Sequence, residues 1–186
     1  NISRRKMLLS SGLALLGVRP GSAIYNADPV MSTKEIPFRI SLNTSTISGY
    51  NLSVEQQIEY CAKAGFGGIE LWTRDICAFL KKGGSYQQLV RKLQSGHLIL
   101  ENIIGFSPWI IGGKGMDEML KEIDMAAALG SRCIAATALG LEKIDRDDFE
   151  KYTDNYRRIL EYGESVGVRP LLEVWGTRSE EHTSEL

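Results

Sequence analysis

The chain has 186 residues, with 22 Lys and Arg against 23 Asp and Glu and a formal net charge of −1. This near-neutral balance offers no basic patch of the kind a nucleic-acid surface needs, so no nucleic-acid partner is expected. A 43% hydrophobic content is that of a globular chain, and the core from 36 to 177 suits one domain. The three cysteines, Cys61, Cys77 and Cys133, are odd in number and lack Cys-x-x-Cys spacing, which excludes a disulfide framework and a zinc site. Cys61 and Cys133 sit in apolar patterns and read as core fillers.

In chain order, the sequence starts at Asn1 rather than Met, so an incomplete N-terminus is expected. Ser3-Arg4-Arg5-Lys6 precedes an apolar run from Met7 to Val18, and Gly21-Ser22-Ala23 follows with small residues. The run is too short to span a bilayer and has the layout of a secretory signal. Its adjacent arginines resemble a twin-arginine export signal. Residues 1–23 are thus expected to be a signal peptide, with the mature protein periplasmic or exported and free of membrane spans. A non-functional signal would leave it cytoplasmic, and a basic amphipathic helix is the competing reading. Residues 24–35 are polar and contain proline, as in a linker.

Phe38 to Asn43 alternates, with Ile40 and Leu42 on one face and Ser41 and Asn43 on the other, as in a strand. Ser53-Val54-Glu55-Gln56 is a capping-box pattern, and Val54, Ile58, Cys61 and Gly65 follow at helical spacing. Gly68-Ile69-Glu70-Leu71-Trp72 is the second strand. The unit then recurs. Tyr86, Leu89, Val90 and Leu93 form a helix face closed by Gly96, before a strand from Leu98 to Ile104. The stretch from Phe106 to Gly115 is a long loop in the position of an active-site lid. Met116, Leu120, Ile123 and Ala127 form the next face, closed by Gly130, before a strand from Cys133 to Ala138. Phe149, Tyr152, Tyr156, Ile159 and Gly163 form the last, closed by Gly167. Each terminal glycine is expected to supply a left-handed cap.

The fifth strand is Arg169-Pro170-Leu171-Leu172-Glu173-Val174-Trp175-Gly176, an apolar run with one carboxylate near its far end. Such runs read as buried parallel strands. A charge within one is costly unless paired or bound to a metal, so Glu173 is either an ion-paired structural acid or a metal ligand. Residues 178–186, Arg-Ser-Glu-Glu-His-Thr-Ser-Glu-Leu, have no helix or strand period. They resemble the translation of a sequencing-library adapter, with a disordered polar tail as the alternative. On either reading His182 is not catalytic, and His97, at the opposite mouth from the strand ends, is structural.

Strands alternating with helices require parallel pairing. The chain reads βαβαβαβαβ, which suits a doubly wound sheet or about half of a (β/α)8 TIM barrel. Two features favour the barrel. The first strand leads into Asn43-Thr44-Ser45-Thr46-Ile47-Ser48-Gly49 and not into a Gly-x-Gly-x-x-Gly turn. Polar and aromatic residues also gather at the C-terminal strand ends: Asn43, Glu70, Trp72, Glu101, Glu173 and Trp175. Barrel enzymes place their chemistry there.

Ala62-Lys63-Ala64-Gly65-Phe66-Gly67-Gly68-Ile69-Glu70-Leu71-Trp72 and Leu171-Leu172-Glu173-Val174-Trp175-Gly176 resemble the xylose-isomerase-like TIM barrels, the sugar phosphate isomerases and epimerases. The resemblance covers nearly all of 36–177 and implies a barrel truncated after its fifth strand. It implies that Glu173 binds a divalent metal ion, with Mn2+, Mg2+ or Co2+ suited to oxygen-rich ligands, and serves as an acid/base. The remaining ligands, from later strands, have no counterpart here. It further implies isomerisation or epimerisation of a sugar or sugar phosphate through an enediolate, with the present fragment inactive on its own. Asn43, Glu70, Trp72, Trp109 and Trp175 are the candidate sugar contacts. For Glu70 structural pairing competes with that role, and for the tryptophans core or lid packing does. A homo-oligomer is open for the full-length form. The alternatives are a non-catalytic sugar-binding or partner-binding barrel, and an abasic-site endonuclease, which would need histidines that the early strand ends lack.

Overall fold

The computed structural model describes residues 38–141 and 145–173. The signal, the linker, Trp175 and the tail all lie outside the described residues. Five parallel strands stand side by side in the order of the chain, β1 (Ser41–Asn43), β2 (Gly68–Trp72), β3 (Ile99–Ile104), β4 (Cys133–Thr137) and β5 (Arg169–Glu173). A doubly wound sheet would reverse its strand order at a switch point. This order does not reverse, and the architecture is that of a partial (β/α)8 barrel.

The helices are α1 (Val54–Lys63), α2 (Thr73–Lys81), α3 (Tyr86–Ser95), α4 (Lys114–Leu129) and α5 (Phe149–Val166). Ser53 starts α1 with the expected capping box: its hydroxyl accepts from Gln56 N–H, and the Gln56 side chain accepts from Ser53 N–H at 2.9 Å. Ser85 caps α3 in the same way. Strand positions Ile69, Leu71, Ile103, Ile134 and Ala136 are fully buried beneath helix residues Ile58, Cys61, Ile76, Leu89, Met116, Met119, Ile123 and Ile159. At roughly 25 cal/mol per Å² of apolar surface removed from water, this layer is the main stabilising feature of the fold.

Four details differ from expectation. α2 is an additional helix between β2 and α3. It is short and amphipathic, and Ile76 is its one fully buried residue, so its apolar pattern is thin. β1 begins at Ser41, since pairing starts where Gly67 N–H donates to the Ile40 carbonyl. Phe38 and Ile40 are therefore exposed. Gly130 and Gly167 are left-handed caps at φ 78° and 76°, but Gly96 has φ −84° and His97 makes the left-handed turn at φ 52°. Finally, the stretch after β3 is packed. Trp109–Ile111 forms a turn of 3-10 helix, Trp109 is 1% exposed against the Tyr156 ring, and Asn155 donates to the Ile110 carbonyl at 2.8 Å.

Candidate active site at the strand ends

Side chains alternate along each strand, so the pairing register states which residues share a face. Leu71 pairs with Ile103 and Ile103 with Ile134, and all three are buried under the helices. The opposite face, which lines the interior of a barrel, therefore carries the intervening residues. Asn43 pairs with Glu70, Glu70 with Asn102, Trp72 with Ile104, Ile104 with Ala135, and Thr137 with Glu173. Asn43, Glu70, Trp72 and Glu173 are thus on one face. Trp72, Thr137 and Glu173 are the last residues of their strands.

Glu101 interrupts this regularity. Ile69 pairs with Leu100 but Glu70 pairs with Asn102, which leaves Glu101 as the extra residue of a bulge. Its carboxylate forms an ion pair with Arg39, next to Gly68 and Ser41 and away from the C-terminal strand ends. Glu101 is a structural acid.

Glu173 is exposed, and the Thr137 hydroxyl donates to its Oε2 at 3.0 Å. Among the described residues no cation lies within ion-pair distance of Glu173 or Glu70. Glu70 is half-buried, and its carbonyl accepts from the Thr44 hydroxyl at 3.0 Å. Asn43 Oδ1 receives the backbone N–H of Ser45 at 3.0 Å and the indole N–H of Trp72 at 3.4 Å, which fixes both side chains. The Trp72 ring lies 5.1 Å from the Phe106 ring, tilted by 57°, and the Arg74 guanidinium sits 4.5 Å from its centroid. Trp109 is not brought to this face. Of the two roles open to it, full burial against Tyr156 gives core packing.

The described residues contain no group of three His, Cys, Asp or Glu that could hold a metal ion. The interior face carries two carboxylates without a cation in ion-pair distance among the described residues, Glu70 and Glu173, and one oxygen of Glu173 is engaged by a neutral hydroxyl.

Sequence reasoning missed Glu122 and its partners. Glu122 lies on α4 and is partly buried, and its Oε2 accepts from Ser107 Oγ at 2.8 Å. Burial raises its pKa above the ordinary value of 4.5. The hydrogen bonds from Ser107 and Thr73 oppose that rise, and nearby Glu118 adds to it. One signal was available: Gly115, Met119, Glu122 and Ala126 follow one another at helical spacing, and the other three are buried.

A family model described as xylose isomerase-like TIM barrel matches residues 58–185. No curated protein matches the chain. Among solved structures, a xylose isomerase domain containing protein from Salmonella typhimurium is similar at 18% identity and TM-score 0.65, over 75% of this chain and 50% of that one. The IolI protein with a binding zinc atom is similar at 21% and 0.62, over 73% and 51%. D-psicose 3-epimerase with D-tagatose from Clostridium cellulolyticum is similar at 15% and 0.60, over 75% and 53%. The chain thus spans about half the length of each of these three structures.

Proposed function

Because the chain belongs to the xylose isomerase-like TIM barrel family, we propose that the full-length protein isomerises or epimerises a sugar or sugar phosphate, with Glu173 as a catalytic carboxylate and metal ligand. One observation carries this reading: Glu173 ends its strand on the interior face, steadied by a hydroxyl and without a cationic partner among the described residues.

The reaction removes a proton from a carbon next to a carbonyl. A carboxylate within reach of that carbon can take and return the proton, and epimerisation needs a second group on the opposite face of the carbon. Glu70, Asn43 and Trp72 share the face of Glu173 and support contacts to sugar hydroxyls and to sugar C–H surface. Trp175 keeps the proposed role of a sugar contact. A divalent cation, when bound, supplies stabilisation of the negative charge that develops on the substrate oxygens. Mn2+, Mg2+ and Co2+ are the proposed ions, and Glu173 is the proposed ligand. Export and the periplasmic location also stay proposals. Among the described residues no helix is long and apolar enough to cross a membrane.

The test is Glu173→Gln in the full-length protein, with turnover followed on a panel of ketoses and metal content measured by elemental analysis. Loss of turnover together with reduced metal is expected. Wild-type turnover and metal content in the variant would overturn the assignment. A wild-type protein that binds ketoses without converting them would favour a binding barrel.

A further inference from the structure

Two cations lie over aromatic rings among the described residues, and they differ in placement. Lys63 sits 5.8 Å from the ring of Tyr60, three residues back on α1, as a local helix pair. Arg74 sits 4.5 Å from the ring of Trp72, which ends β2 on the interior face with the candidate site residues.

The platform under Arg74 is fixed. The Trp72 indole N–H donates to Asn43 Oδ1 at 3.4 Å, which ties the ring to the end of β1. Stacking on that ring holds the guanidinium beside the strand ends, although the Arg74 side chain is 59% exposed. Its charge is only partly neutralised. Asp75 Oδ1 approaches Nε at 3.4 Å, while Asp75 Oδ2 accepts from the side-chain N–H of Gln57 at 3.1 Å. Among the described residues Arg74 forms no hydrogen bond, so its Nη fork stays free for an external acceptor.

The site therefore differs in charge from one part to another. Glu70 and Glu173 share the interior face without a cation in ion-pair distance among the described residues. An anionic group on a substrate is repelled there and attracted at Arg74. A planar guanidinium presents paired N–H donors that match a phosphate or a carboxylate, and a neutral hydroxyl gains far less from its charge.

We propose that Arg74 is a specificity-determining residue that receives the anionic group of a charged sugar, a phosphate or a carboxylate, at the rim of the site. This substrate class rests on the isomerase or epimerase reading proposed above.

The experiment uses the full-length protein and compares a ketose with its phosphate ester and with a keto sugar acid of the same carbon number. Wild type should prefer one of the charged sugars over the neutral one, in kcat/KM, by about tenfold or more. Arg74→Met keeps an apolar stem over Trp72 and removes the charge, so that preference should fall by about tenfold or more, mainly through KM. Arg74→Lys should lie between the two, since it keeps the charge and loses the fork. The charged sugar whose advantage depends on Arg74 identifies the group as phosphate or carboxylate. A guanidinium that only packs on Trp72 would affect neutral and charged sugars alike, and an unchanged preference in Arg74→Met would overturn the proposal. A wild type that favours the neutral ketose would overturn it as well. Should wild type convert none of the three sugars, the proposed function fails. Equilibrium binding of the same sugars to wild type and both variants, followed by tryptophan fluorescence, then decides on Arg74 by the same preference.

Discussion

Thr137 and Glu173 are register partners on adjacent parallel strands, and the buried hydroxyl of the first donates to Oε2 of the second at 3.0 Å. The bond selects one orientation of an otherwise exposed carboxylate and leaves its other oxygen available.

On the proposed role of Glu173, Thr137→Val should lower metal affinity and kcat/KM by about tenfold or more, the usual effect of losing a partner that orients a ligand. Thr137→Ser should retain both. Because water can replace the hydroxyl at Glu173, the valine variant should lose less than about 1 kcal/mol of stability. Metal titration with thermal denaturation checks the pair of expectations, and equal metal affinity in all three proteins would refute them.

A second expectation concerns pH. Burial holds the Glu122 carboxyl above 4.5, and the charge of Glu118 adds to the rise while Ser107 and Thr73 oppose it. The fold therefore keeps this proton more tightly than the unfolded chain does. That contribution is complete below 4.5 and is lost as pH rises through the higher folded value. Glu122→Gln cannot ionise, so its melting temperature should gain on wild type from pH 4.5 upward and level off once Glu122 is fully charged. Other carboxylates titrate in both proteins and cancel in the difference. A difference that stays constant from acid to neutral pH would contradict this.

The third uses the cysteines. Cys61 is fully buried, and burial pushes its thiol up to about 11 against a hydrogen bond from the Leu42 backbone. Cys77 and Cys133 are partly exposed. An alkylating reagent at pH 8 should therefore modify Cys77 and Cys133 in the folded protein and reach Cys61 only after unfolding, because the thiolate is the reactive form. Peptide mapping at timed intervals reads this directly, and early modification of Cys61 would contradict it.

Where sequence and structure agree, a local rule and a tertiary one point the same way. Gly68 to Trp72 follows Gly65 and Gly67, alternates cleanly and is the strand observed. Ser53 satisfies its helix through bonds that span only three residues, so its role is readable without the fold. Glu101 illustrates the opposite case. A bulge breaks the period-two rule at that position, and facing cannot be counted from neighbours in sequence. Trp109 is hidden by Tyr156, which lies on a helix far along the chain, so nothing near the tryptophan announces its burial. Glu122 was obscured for the same reason: its partner Ser107 belongs to another segment, and a single glutamate within a helix normally marks a solvated face. Of the candidate site, the strand-end residues were accessible to pattern, while the hydrogen bonds that orient them were not.

The strand order also bears on how the protein is made. Among the described residues each strand after β1 pairs with the one synthesised just before it. A nascent chain can therefore extend the sheet from its growing edge, one helical crossover and one strand at a time. β1 and the newest strand are then the two open edges of the sheet, and both offer unpaired backbone until further pairing covers them.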